Sequence, residues 1–389
     1  MQFADRMSRL GTESAFEVLV RARALEAQGR DVVHLEIGEP DFDTPQHIVE
    51  AGKEALDQGF THYGPTAGLP EFREAIAQYV AHTRDIAVKP EQVVVTPGAK
   101  PIMFYAVLAL AQAGDEVIYP NPGFPIYESV IRFVEATPVP ITLREERGFS
   151  LDVEELRSLV TDRTRLIILN SPQNPTGGIL PPEDLQAIAE IAVQHGIPVL
   201  ADEIYSRLVY DGVCHSITAY EGMQDLAIIL DGFSKTYAMT GWRLGYGVMS
   251  EALAKQMTLL AVNSNSCTAT FVQRAGLAAL QGPQEPVEAM LAEFRRRRDF
   301  FVAGLNDIPG LTCAMPRGAF YAFPNISEVS RSASEMADFM LQEGGVACLA
   351  GSDFGVYGEG YLRFSYANSL ENLSRALERI ADCVAKLRG

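Results

Sequence analysis

Two hydrophobic patterns alternate along this chain. Short, continuously apolar runs are followed by stretches in which apolar positions recur every three to four residues. The first pattern marks buried strands and the second marks helices with one buried face. Their alternation predicts an α/β fold with a mostly parallel sheet. Strand-like runs fall at 32–38, 116–120, 137–141, 165–170, 198–203, 226–235 and 242–249. The segment QVVVTPGAK (92–100) reads as a strand, a Gly turn and the start of a helix that continues to Ala113. RLIILN (165–170) is the clearest strand, because it is short, wholly apolar and closed by a Pro/Asn/Gly cluster.

Helical patterns lie at 14–28, 46–58, 69–82, 124–134, 152–160 and 182–195, and longer ones fill about 251–281 and 284–306. Beyond Pro309 the elements shorten, with strands near 319–324 and 360–366 and helices at 332–343 and 369–387. This predicts a large domain over 46–285 and a smaller α+β domain. The smaller one is formed by 286–389 together with an N-terminal arm, 1–45, whose helix packs on the C-terminal lobe.

Composition narrows the function. At 47% hydrophobic and 21% charged the chain is ordinary globular material. Its 32 Lys and Arg stand against 50 Asp and Glu, a net charge of −18. That balance argues against nucleic acid as the main ligand. Cys214, Cys267, Cys313, Cys348 and Cys383 are odd in number and widely spaced, as expected of reduced thiols in the cytoplasm. No apolar run approaches the roughly 20 residues needed to cross a bilayer, so no membrane association is expected.

The candidate chemistry sits at strand ends. Asn174, Asp202, Tyr205, Ser234, Lys235 and Arg243 each lie at or just past the C-terminal end of a strand-like run. In open α/β sheets ligands bind at that edge. Taken singly, Lys235 is a snorkelling surface lysine, Asp202 a helix cap and Asn174 part of a loop. Taken together they suit carbonyl chemistry: a buried lysine becomes a nucleophile when its pKa falls. A carboxylate such as Asp202 can pair with a ring nitrogen, while Asn174 and Tyr205 can donate to a phenolate oxygen. The PGAK turn (97–100) opens a helix, whose N-terminal amides attract anions. Arg363, on a strand of the second lobe, offers a fork for a carboxylate.

Eight strings, in order, resemble the class I aminotransferases of pyridoxal 5'-phosphate (PLP) fold type I. They are GEPDFDTP (38–45), HYGPTAGLPEFREA (62–75), TPGAK (96–100), NSPQNPTGG (170–178), ADEIYS (201–206), SKTYAMTGWRLGY (234–246), PRGAFYAFP (316–324) and YLRFSYANS (361–369). The resemblance covers nearly the whole chain, and its NPTG and SK…GWR strings are the most specific.

It implies an aspartate aminotransferase-like fold, with a large mostly parallel sheet and a smaller α+β domain. It implies that Lys235 carries PLP as a Schiff base and shuttles a proton, and that Asp202 pairs with the pyridine nitrogen. Asn174 and Tyr205 are implied at the phenolate oxygen. Gly98, Ala99, Lys100, Ser234 and Arg243 are implied around the phosphate, and Phe124 against the ring. Arg363, Asn174 and the Gly38 backbone are implied on the substrate α-carboxylate. Tyr63 is implied to reach the phosphate of a second subunit, so that homodimers share their active sites.

The reaction implied is ping-pong transfer of an amino group from an L-amino acid to a 2-oxo acid. Lys100 points to aspartate or glutamate, because the matching lysine of bacterial relatives recognises the distal carboxylate. One position departs: Gly123-Phe124 stands where many relatives carry Tyr-Trp, and Phe124 lacks the indole donor. Phe124, Ile102, Met103, Ile126 and Tyr127 suit either a pocket for a larger donor or plain core, so broad-range alanine or aromatic transfer stays open. A carbon–sulfur β-lyase on the same fold would share every cofactor residue. A nicotinamide dehydrogenase is disfavoured, since no Gly-x-Gly-x-x-Gly follows the first strand.

Overall fold

The computed structural model describes residues 1–330 and 332–388. Thirteen strands form among them: β1 (Val33–His34), β2 (Val93–Thr96), β3 (Glu116–Asn121), β4 (Thr137–Arg144), β5 (Ser150–Leu151), β6 (Thr164–Asn170), β7 (Val199–Asp202), β8 (Ala227–Gly232), β9 (Gly245–Val248), β10 (Tyr321–Ala322), β11 (Val346–Ala347), β12 (Leu349–Ala350) and β13 (Leu362–Ser365). Eight of them make one sheet in the order β2-β9-β8-β7-β6-β3-β4-β5. The five strands from β8 through β4 are mutually parallel. β9 runs antiparallel to both its neighbours.

The apolar runs form the centre of this sheet because a strand covered on both faces buries every side chain. In β6, Leu166 and Ile168 enter one core with Leu200, Ile228 and Tyr127. Ile167 and Leu169 enter the opposite core with Ile188, Ala192 and Val199. That division follows from the two-residue repeat of a strand. The helix Pro182–His195 links β6 to β7 and stops at Gly196, which takes a left-handed φ of 65°.

Three expectations from the pattern are corrected. The stretch 251–281 is two helices, Glu251–Ser264 and Thr270–Gln281. Ser266 adopts φ 63° between them, a left-handed conformation that ends a right-handed helix. The run 32–38 pairs only at β1, parallel to β11. Its later backbone carbonyls, at Glu36 and Gly38, accept from side chains instead. The strand expected at 226–235 ends at Gly232 and gives way to the short helix Phe233–Thr236.

The helix Ser14–Glu26 packs Ala22 and Leu25 against Leu341 and Ala347. Val33 and Leu35 join a cluster built mainly from 290–384. Among the described residues no helix is long and apolar enough to cross a membrane.

Candidate active site

Because the central strands are parallel, their C-terminal ends open on one edge. β7 delivers Asp202 there, β6 leads into Asn174, β8 into Ser234 and Lys235, and β2 into Gly98. Lys235 lies on the first turn after β8 and reaches across to the N-terminal arm. Its Nζ donates to the Gly38 carbonyl at 2.5 Å and sits 5.8 Å from the centre of the Phe320 ring. Burial pushes its ammonium down to about 8; Glu39 opposes this, while Arg363 and Arg243 add to it.

Asp202 is buried. One carboxylate oxygen accepts from Tyr127 Oη at 2.6 Å and the other from the Ile204 amide at 3.3 Å. Burial pushes the acid up to about 6, although both hydrogen bonds favour the ionised form. Tyr127 was weighed from sequence only as an apolar pocket or core residue. Its phenol, buried at the head of the helix Ile126–Phe133, instead orients Asp202.

The backbone around Asn174 is pinned by Asn170. The Asn170 side chain accepts from the Asn174 amide at 2.9 Å and donates to the Asp202 carbonyl at 3.0 Å. Asn174 Oδ1 accepts from Arg363 Nη1 at 3.3 Å. Arg363 stands on β13, is 4% exposed, and lies 4.6 Å from the Tyr321 ring centre and 5.1 Å from that of Phe354. Its Nη2 donates to the Glu36 carbonyl. Its Nε has no hydrogen-bond partner among the described residues. A buried guanidinium with a spare donor is suited to a carboxylate that arrives from outside.

Tyr205 Oη and Tyr321 Oη lie 2.7 Å apart, both buried. A Cβ at Gly38 would meet the Tyr321 hydroxyl at 2.2 Å, so only glycine fits there. Nothing in the sequence pattern marks Tyr321 or Glu36 as part of the site. Tyr321 falls inside PRGAFYAFP, but nothing in that string marks which aromatic faces the site.

An anion corner forms at Gly98. Its φ is 87°, and a Cβ there would lie 2.2 Å from Arg243 Nη2. Arg243 itself holds a left-handed φ of 54° and precedes β9 rather than belonging to it. Ala99 heads the helix Lys100–Leu110, whose first amides no side chain caps. Ser234 is buried on the adjacent turn. Phe124 stands edge-on to Tyr127 at 5.6 Å. Lys100 is exposed, and its ammonium pairs with the Glu13 carboxylate. Tyr63 alone stands apart, at 90% exposure.

These residues fit PLP on observations independent of any likeness. There is a lysine of depressed pKa, a buried carboxylate, an uncapped helix start roofed by an arginine, and a buried arginine with a free donor.

The comparisons agree. The family profile for aminotransferase class I and II matches residues 30–380. The chain is 41% identical to the aspartate aminotransferase of Pyrococcus horikoshii, covering 97% of this chain and 96% of that protein. It is 39% identical to the aromatic-amino-acid aminotransferase 2 of Thermococcus litoralis, over 98% and 97%. Its structure superposes on the aspartate aminotransferase from Thermus thermophilus with maleate at a TM-score of 0.94, with 38% identity over 98% and 100% of the two chains.

Proposed function

The chain belongs to the class I and II aminotransferases, and from that premise we propose how its own residues divide the work. It is a PLP enzyme that moves an amino group from an amino acid to a 2-oxo acid. When bound, the cofactor supplies an electron sink for charge developing at the substrate α-carbon.

Lys235 carries the cofactor and then moves the proton at the α-carbon; a depressed pKa provides the neutral amine that both tasks need. Asp202, oriented by Tyr127, would pair with the ring nitrogen. Asn174 and Tyr205 would donate to the phenolate oxygen. The backbone of Gly98, Ala99 and Lys100, with Ser234 and Arg243, would take the phosphate, and Phe124 would lie against the ring. Arg363, Asn174 and the Gly38 backbone would hold and orient the α-carboxylate. The meeting of Lys235 and Asp202 at one sheet edge with Arg363, which reaches Asn174 there from β13, is the observation that carries this reading.

The donor we propose is aspartate or glutamate, with Lys100 facing the distal carboxylate. Support comes from relatives named aspartate aminotransferase. A second reading, an aromatic donor, is favoured by Phe124 beside Lys100 and by the Thermococcus litoralis relative. We further propose a homodimer with shared sites, supported by the exposure of Tyr63, and a cytoplasmic location, in keeping with five free cysteines. The division into 46–285 and 1–45 with 286–389 is likewise proposed, supported by the packing of Val33 and Leu35 with the C-terminal elements.

A visible-absorbance titration of the purified holoenzyme tests the chemistry. Single amino acids are added with no 2-oxo acid present. Loss of the lysine-linked cofactor band on aspartate or glutamate supports the whole reading. A response confined to aromatic or neutral amino acids moves the donor to the second reading. Absence of the band after PLP is added, or a Lys235→Ala variant that retains it, removes the Lys235 assignment.

A further inference from the structure

Lys100 does not stand free in this chain. Its ammonium pairs with Glu13, 87 residues away in sequence, and lies 5.3 Å from the centre of the Phe124 ring. The Glu13 side chain is only 22% exposed and directly precedes the helix Ser14–Glu26. That segment is tied down on both sides. The Gly11 amide donates to Ser129 Oγ at 2.9 Å, and Ala22 and Leu25 of the helix pack against Leu341 and Ala347. The Glu13 charge also acts weakly on Lys235, Tyr321 and Arg363, well behind the effect of their burial. A carboxylate so placed is chemically the same group as the end of a dicarboxylate side chain, and it occupies the cation that such a side chain would seek.

We infer that Glu13 is an intramolecular competitor for Lys100, which a dicarboxylate ligand must displace and a neutral side chain leaves in place. With the pair closed, the chain offers a substrate a neutralised wall beside Phe124. With it open, Lys100 is released to a distal carboxylate while Glu13 turns to solvent. Glu13 thereby sets the relative affinity for acidic and neutral substrates. This rests on the reading of Lys100 as the group facing the donor's side chain, and it does not depend on which donor the enzyme turns over.

The test compares succinate with butyrate, which has the same carbon count and one carboxylate fewer. Binding of each to the holoenzyme is followed by visible absorbance, in wild type, Glu13→Gln, Lys100→Met and the double variant. Glu13→Gln is expected to tighten succinate about fivefold, the upper worth of a partly exposed ion pair. Butyrate should be unmoved, which also shows that the site is intact. The gain should fall away in the Lys100→Met background. An unchanged succinate-to-butyrate ratio overturns the inference, and so does a gain that persists without Lys100. If Glu13→Gln tightens succinate but aspartate discharges neither form, the inference stands and the dicarboxylate donor falls.

Discussion

Asp202 shows how one residue acquires its role from its surroundings. An aspartate at a strand end is an ordinary feature, and in water it would be ionised across the neutral range. Burial raises it to about 6, with Tyr127 holding it in place. The ionised form is the one that pairs with a protonated ring nitrogen, so affinity for the cofactor should rise with pH through about 6. Pyridoxine 5'-phosphate, which has no aldehyde and cannot react with Lys235, isolates that term. Its affinity should weaken by about tenfold per pH unit below 6. The loss should be shallower in Asp202→Asn, where only the phosphate of the ligand, with its second pKa at about 6, still titrates, read by calorimetric titration from pH 5 to 8. An unchanged slope after the substitution would assign the titration to another group.

Single elements are held together by a buried charge cluster beneath the site. Arg84, the last residue of the helix Pro70–Arg84, lies 2.9 Å from Glu203, next to the end of β7, and 2.9 Å from Asp231 on β8. Tyr246 on β9 donates to Asp231 at 3.0 Å. One arginine thus fixes a helix to the strands that present Asp202 and Lys235. Arg84→Met would leave two buried carboxylates uncompensated, at a cost of about 3–5 kcal/mol. Calorimetry should show a lower Tm at pH 7.5.

The pH dependence has a definite sign. Burial holds the Asp231 carboxyl up at about 6, above the 3.8 of the free acid, even with Arg84 opposing that shift. A raised carboxyl makes the fold bind more protons than the unfolded chain, so the folded state gains stability as pH falls from 6 toward 4. Without Arg84 the carboxyl rises further. The Tm deficit of Arg84→Met should therefore narrow at pH 5, and a deficit that widens there would rule out the cluster as its cause.

At the scale of the whole molecule, the N-terminal arm is left without a core of its own. The 3₁₀ turn Asp5–Arg9 buries no residue, and Met1, Phe3, Met7 and Leu10 are all exposed. Exposed apolar residues gathered in one segment suit a second copy of the chain. Sedimentation should find a dimer, and deletion of residues 1–10 should shift it toward monomer. Tyr63→Phe should keep the dimer but weaken the cofactor about tenfold, the worth of a hydrogen bond to a charged group. Undiminished affinity would place Tyr63 away from the phosphate.

The fold class, the helix Pro182–His195 and the buried strands followed from sequence because hydrophobic periodicity and Gly or Pro punctuation are local properties. The placing of Lys235, Asn174 and Asp202 at strand ends was legible because strand and turn patterns are local, whereas the roles proposed for them and for Arg363 came from the ordered strings that resemble the family. What sequence could not supply was pairing between distant residues. Tyr127 looked like any aromatic on an apolar helix face, and only the packing of its helix beside β3 and β4 turned its phenol to Asp202. Glu13 looked like any acidic residue before a helix, and only the packing of the N-terminal segment beside the helix Ile126–Phe133 set it against Lys100. The break at Ser266 was hidden for a related reason, since both halves carry a helical pattern and only the route of the chain requires a turn between them. Side-chain type and local order are written in the chain. Which charges end up facing one another is decided by long-range closure of the fold.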